Sequence, residues 1–209
     1  MTIKDKRIQL LETAERLFAL RGFEGTSVRD IAEEAGANIA MISYYFGSKE
    51  KLMQALFEQR TGNIKMRVES LLKDNTLTPI QKVDMLIEEH VERAMHNQKF
   101  QKIMICEQII NKNPAIIEML REIKLKNAAL IGELIKDGQK KGAFKKKVDI
   151  VMLLSTMVGT VTQLMIGHSF YREFNGLNEM PDEEFQKHLK TKVTNHIKKI
   201  FKALLINES

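Results

Sequence analysis

The chain has 209 residues, of which 44% are hydrophobic and 29% charged, and its formal net charge is +6. That is enough for one large or two small domains with a substantial core. Three prolines, no tryptophan and long runs of Leu, Ile, Lys, Glu and Ala count against a strand-rich fold, so an all-α protein is expected.

The single cysteine, Cys106, has no partner for an internal disulfide and sits among Ile103, Met104, Ile105 and Ile109, the setting of a small buried hydrophobe. The first stretch, MTIKDKRIQLLETAERLF, is charged throughout and lacks a signal-peptide core, so a cytoplasmic protein is expected. Net positive charge permits a polyanionic partner, but residues 1–51 carry eight basic and eight acidic side chains. The excess lies in KDGQKKGAFKKK at 136–147 and in the lysine-rich end at 187–202, which read as solvated faces.

In chain order, Ile8, Leu11, Ala14, Leu17 and Phe18 recur at three- and four-residue steps and predict a helix over 4–21. Gly22 and Phe23 read as its C-cap and hydrophobic partner. Ser27 and Asp30 form a capping-box pattern that opens a short second helix, with Val28, Ile31, Ala32 and Ala35 on its buried side. Gly36 ends it, Asn38 caps a third helix running to about Phe46, and Ser48 caps a fourth. Two short helices joined by a tight turn have the spacing of a helix-turn-helix, at about 27–46.

Later helices are expected at 49–73, 78–98, 100–111, 114–138 with Gly138 and Gly142 as its exit, 147–172 and 182–206. Helix length changes near residue 48, which divides the chain into a helix-turn-helix domain at 1–48 and a larger helical domain at 49–209.

Each helical residue advances about 100°, so Ile42, Phe46, Ile39 and Tyr45 of the third helix can face the first two helices, with Asn38 on the same side. Ala40, Met41, Ser43 and Tyr44 then point outward. Such a face suits a DNA major groove: Ala40 permits close approach, Met41 can touch a thymine methyl, and Ser43 and Tyr44 can reach phosphate oxygens. Taken alone, the segment suits a small domain interface equally well. The helix starts at Ser27 and Ser48, with Thr26, Ser27 and Lys49 as side-chain donors, favour DNA.

The stretch TSVRDIAEEAGANIAMISYYFGSKEKLMQAL at 26–56, preceded by LLETAERLFALRGFEG at 10–25, resembles the DNA-binding domain of TetR-family transcriptional regulators. The resemblance implies a homodimer with an N-terminal helix-turn-helix and a variable helical C-terminal domain that binds an inducer and dimerises. Carried over by position, it implies a DNA-contacting set of Thr26, Ser27, Asn38, Ala40, Met41, Ser43, Tyr44, Tyr45 and Lys49. The outward face holds no Arg, Lys, Asn or Gln, so base reading is expected to use apolar contacts, backbone approach and DNA shape. Repression is the family's usual direction.

Residues 150–170, IVMLLSTMVGTVTQLMIGHSF, contain no Asp, Glu, Lys or Arg over a bilayer-spanning length. Ser155, Thr156, Thr160, Thr162, Gln163, His168 and Ser169 interrupt the run and no second one exists, so a helix buried between two subunits is the better reading. A dimer contact through 147–172 and 182–206 is expected, with Ser155 and Gly159 permitting close approach. An apolar or amphipathic inducer is expected among the helices at 78–138 and 147–172, where Met85, Met95, Met104, Met119, Met157 and Met165 can shape a cavity. His90, Gln108, Gln163 and His168 are polar residues in that region, and none is assigned as a ligand contact. No phosphate loop, metal spacing or serine elbow is present, so no enzyme, cofactor or metal site is expected. The remaining rival is a helical protein-interaction adaptor that keeps the fold without binding specific DNA.

Overall fold

Every regular element among the described residues of the computed structural model is an α-helix. The structure describes residues 3–62, 64–110 and 113–206, with side chains from residue 6 onward. In chain order the helices are α1 (Ile3–Arg21), α2 (Val28–Glu34), α3 (Ile39–Phe46), α4 (Lys49–Thr61), α5 (Ile64–Lys73), α6 (Pro79–His96), α7 (Gln98–Ile110), α8 (Pro114–Lys140), α9 (Ile150–Ile166), α10 (His168–Phe174) and α11 (Asp182–Leu205).

Two compact units divide the chain, one of Met1–Asn63 with Asn97–Lys124 and the other of Ile64–His96 with Leu125–Ser209. The first is built on the expected stripe of α1: Leu10, Leu11, Ala14, Leu17 and Phe18 are all buried. Ile31 and Ala32 of α2, Ile42 and Phe46 of α3, and Leu52, Met53, Leu56 and Phe57 of α4 close over it. On α7 and α8, Phe100, Ile103, Ile116 and Leu120 complete the same core, with the Phe57 and Phe100 rings edge to face at 4.9 Å. Arg60 of α4 clamps the buried carboxylate of Glu15 on α1, its Nε–H shared between the two oxygens at 3.1 and 3.2 Å and its Nη2 donating to Oε2 at 2.5 Å. These contacts place α4 in the same compact unit as α1, α2 and α3.

In the second unit α6, α9 and α11 share one apolar core. Val83, Ile87, Val91 and Ala94 of α6 meet Leu153, Met157 and Val161 of α9 and the full stripe Phe185, Leu189, Val193, Ile197, Phe201 and Leu205 of α11. Ion pairs Glu88–Lys198 and Glu92–Lys190 flank the α6–α11 seam. Lys82, fully buried, directs its ammonium to the Leu72 carbonyl oxygen at 3.4 Å, near the C-terminal end of α5 where the helix dipole favours a cation.

Two helices expected to be continuous are broken. The 49–73 helix stops at Thr61 because Gly62 takes φ +66°, a left-handed conformation that leaves the helix. The 147–172 helix begins only after Asp149, whose carboxylate accepts from the Met152 amide at 3.0 Å, and breaks at Gly167, where α9 and α10 bend by 75°. That bend interrupts the uncharged run, and among the described residues no single helix is long and apolar enough to cross a membrane. The expected exit of α8 at Gly138 is also displaced: the helix continues to Lys140, and Gly138 instead lies beneath the buried ring of Phe144.

Candidate nucleic-acid interface

The turn between α2 and α3 is fixed by local backbone bonds and by one distant side chain. Gly36 N–H donates to Glu33, and Ala37 N–H to Ala32 at 2.9 Å. The Lys6 ammonium of α1 reaches the Ala35 and Gly36 carbonyl oxygens, each at 3.1 Å, and so caps the C-terminal end of α2. Asn38 then caps α3 by accepting from the Ala40 amide at 2.9 Å. Ile42 and Phe46, 2% and 7% exposed, anchor α3 in the core.

With that anchor set, the opposite side of α3 is open. Ala40 and Ser43 are exposed, Tyr44 is 79% exposed, and Met41 and Tyr45 are half-buried. The Tyr44 and Tyr45 rings stack edge to face at 5.1 Å, and Tyr45 contacts Phe46 at 6.2 Å, so Tyr45 joins the outward face to the core. Ile39 departs from the expected orientation: at 43% exposed it lies on the open side, because the core filled by Ile42 and Phe46 begins one turn further along.

The flanking donors behave differently from the sequence expectation. Thr26 is 1% exposed and its hydroxyl donates within the α1–α2 corner, to the Gly22 carbonyl at 2.9 Å and the Leu17 carbonyl at 3.3 Å. The hydroxyl proton is thereby shared between two carbonyl oxygens of the corner. Ser27 is exposed, but its amide and hydroxyl both donate to Asp30, at 2.8 and 2.6 Å. Those bonds hold the Asp30 carboxyl below the usual carboxylate range, the side-chain bond from Ser27 contributing most. At the start of α4 Ser48 caps Lys51 N–H at 3.2 Å, and Glu50, bonded to its own amide and then to Ser48, is likewise held below its usual range. Each helix start therefore already carries its own anion, and a phosphate there would meet a carboxylate. Lys49 is half-buried and donates to the carbonyl oxygens of Phe23 and Thr26 at 3.0 and 3.1 Å. Two of its three donor hydrogens are thereby engaged, and it braces the corner.

Two cations absent from the sequence-based set lie close to the helix-turn-helix. Lys6 holds the turn, and the exposed Arg7 guanidinium lies 5.1 Å from the Phe46 ring centroid. Their roles depend on contacts spanning about thirty to forty residues, which no local pattern announces. Among the described residues no group of three or more His, Cys, Asp or Glu side chains is placed to hold a metal ion.

Residues 10–56 match the family described as bacterial regulatory proteins, tetR family, and residues 79–197 match its tetracyclin repressor-like C-terminal domain. The chain is 27% identical over 140 residues to the probable HTH-type transcriptional regulator YttP of Bacillus subtilis, spanning 67% of this chain and 66% of that protein. It is 22% identical over 160 residues to the fatty acid metabolism regulator protein of the same organism, spanning 77% of this chain and 81% of the relative. The solved structure of the ketosteroid transcriptional regulator KstR2 of Mycobacterium tuberculosis has the same fold, with a TM-score of 0.68 at 19% identity over 99% of this chain and 98% of that one. With a helix-turn-helix presented from a helical core and both family regions matched in order, the chain belongs to the tetR family of bacterial regulatory proteins.

Proposed function

We propose that the protein is a ligand-responsive repressor that binds a pseudo-palindromic operator in double-stranded DNA as a homodimer, one α3 entering the major groove of each half-site. The observation that carries this reading is the two-sidedness of α3, pinned by Ile42 and Phe46 while Ala40, Ser43 and Tyr44 stand in solvent. On this reading Ala40 lets the backbone approach the base edges and Met41, with Ile39, meets thymine methyl groups. Ser43, Tyr44 and, at the edge, Tyr45 donate to phosphate oxygens, and Asn38 sets the depth of the helix N-terminus. Ser27 and Lys49 serve as supports behind this face.

The pairing surface is the side of α9 and α10 that its own unit leaves open. Val151, Met152, Val158 and Ile166 of α9 and Phe170 of α10 are exposed apolar residues within the expected 147–172 segment, with the exposed Phe174 just beyond it, and α11 lies within the expected 182–206 segment. Burying such a stripe against its symmetry mate removes it from water. A dimer then presents two recognition helices to half-sites about 34 Å apart or a multiple of that distance.

The inducer is an apolar or amphipathic molecule held in the second unit, where Met85, Met95, Met157 and Met165 belong to or pack on the core. Met104 and Met119 pack in the first unit instead and leave that set. Of the four polar residues of the expected inducer region, Gln108, Gln163 and His168 are exposed and His90 is half-buried. The relation to a protein named for fatty acid metabolism is in keeping with an amphipathic effector. An inducer that binds more tightly to a DNA-incompetent arrangement lowers operator affinity, and DNA must weaken inducer binding by the same factor.

Selection of genomic DNA fragments by the purified protein, followed by anisotropy titration of the selected duplex at fixed salt, tests the reading. The expected result is two chains per duplex and an affinity at least about a thousandfold above that for random DNA. Equal affinity for selected and random duplexes would instead support the adaptor reading.

A further inference from the structure

The backbone of Phe23, in the corner between α1 and α2, is held on both sides by charged side chains from other helices. Its N–H donates to Glu107 Oε1 of α7 at 3.1 Å, in a buried bond that spans 84 positions. Its carbonyl oxygen accepts from Lys49 Nζ of α4 at 3.0 Å, and the same ammonium lies 4.1 Å from the Phe23 ring centroid. Phe23 is 1% exposed, and its ring meets Phe18 of α1 at 5.4 Å. Glu107 is itself 6% exposed, in a core that includes Phe100 and Ile103. A carboxylate there is unfavourable unless it accepts charge-assisted hydrogen bonds, and an apolar residue in its place would leave the buried Phe23 amide unpaired.

The corner sets where α2 begins. Three residues after Phe23, Thr26 closes onto the Gly22 and Leu17 carbonyls, and Ser27 caps α2 immediately afterwards. From α2 the Ala37 amide bonds back to Ala32, and α3 follows. A shift of Phe23 is therefore passed through α2 to the presentation of α3. We propose that Glu107 is a positioning residue for DNA recognition: α7, within the segment matched to the C-terminal domain, fixes the α1–α2 corner through the Phe23 amide, and specific DNA affinity depends on that bond. The inference rests on the DNA-binding reading above.

The test compares Glu107→Gln, Glu107→Asp and Glu107→Ala in the full chain. Amide hydrogen exchange at Phe23 is measured beside titrations with the duplex selected by the wild-type protein and with random DNA. Glutamine keeps an acceptor oxygen at the same reach, so Phe23 protection persists and selected-duplex affinity stays within about threefold of wild type. Aspartate keeps the charge but is one methylene shorter, so Phe23 exchange accelerates and selected-duplex affinity falls about tenfold while random-DNA affinity changes little. Alanine behaves as aspartate, and if it fails to fold the Gln and Asp pair still decides. Equal Phe23 protection in wild type and Glu107→Asp overturns the clamp whatever the DNA result. Accelerated exchange with unchanged selected-duplex affinity overturns the link to recognition, and an affinity loss in Gln that Asp does not share assigns the effect to charge rather than to the acceptor. A wild-type protein that does not prefer its selected duplex overturns the operator-binding reading instead, and that outcome is visible before any variant is made.

Discussion

Lys6 Nζ lies 3.1 Å from the carbonyl oxygen of Gly36, so a side chain in α1 caps the C-terminal end of α2 and holds the turn into α3. Lys6→Met keeps the aliphatic stem and removes the charge-assisted bonds to Ala35 and Gly36. In this partly exposed site the change is expected to lower stability by about 1 kcal/mol and to weaken specific DNA binding more than random binding. Urea unfolding and parallel titrations on the two duplexes read both effects. Equal losses on both duplexes would make Lys6 a phosphate contact rather than a brace of the turn.

The face of α3 separates reading from anchoring. Met41→Ala removes an apolar group from the base-facing side and is expected to narrow the gap between matched and mismatched duplexes by about 1 kcal/mol. Tyr44→Phe deletes one hydroxyl from a side chain that is 79% exposed. It is expected to weaken matched and mismatched DNA by a similar factor of about three to ten, without changing the salt dependence, because the lost group is neutral. A competition series with single-base variants of the selected duplex distinguishes the two patterns.

Short-range physics explains how much of this was legible beforehand. Capping residues and apolar steps locate α1, α2 and α3, because Ser27, Asn38 and the Leu11–Phe18 stripe act within a turn or two of themselves. The same local signals do not announce the corner contacts of Thr26 and Lys49, since their partners Leu17, Gly22 and Phe23 sit across a corner whose closure is a tertiary event. Gly62 and Gly167 break helices that periodicity alone runs straight through. Gly reads as a helix exit only when the next residues supply no packing reason to continue, and at Gly138 the ring of Phe144 supplies one. Lys6 and Glu107 carried no pattern, as their function lies entirely in contacts that span 29 to 84 positions.

Gly138 illustrates a close approach that outweighs helix propensity. A Cβ at this position would stand 2.1 Å from Cδ2 and 2.3 Å from Cε2 of Phe144, whose ring is buried. Alanine favours a helix over glycine by about 1 kcal/mol, while forcing a buried ring aside costs about 1–3 kcal/mol, so Gly138→Ala is expected to destabilise the chain. A fall in Tm of about 2–6 °C is expected by calorimetry. In a Phe144→Leu background the same substitution should lose its penalty, since the clashing ring atoms are gone; an unchanged penalty would place the strain elsewhere.

His90 gives the second unit a pH dependence with a definite sign. It lies on the core-facing line of α6 with Val83, Ile87 and Ala94, half-buried, and desolvation first and Arg93 second pull its pKa down from 6.5 to about 4. The folded chain thus keeps this imidazole neutral at a pH where the unfolded chain protonates it. Stability attributable to His90 is complete above about pH 6.5 and falls as pH drops toward 4, reaching a loss of about 2 kcal/mol near pH 5. His90→Leu removes the titrating group at similar bulk and should flatten that part of the profile. Urea unfolding of both proteins at pH 7, 6 and 5 decides the matter: equal slopes between pH 6.5 and 5 in wild type and variant would mean that His90 is already protonated in the folded chain.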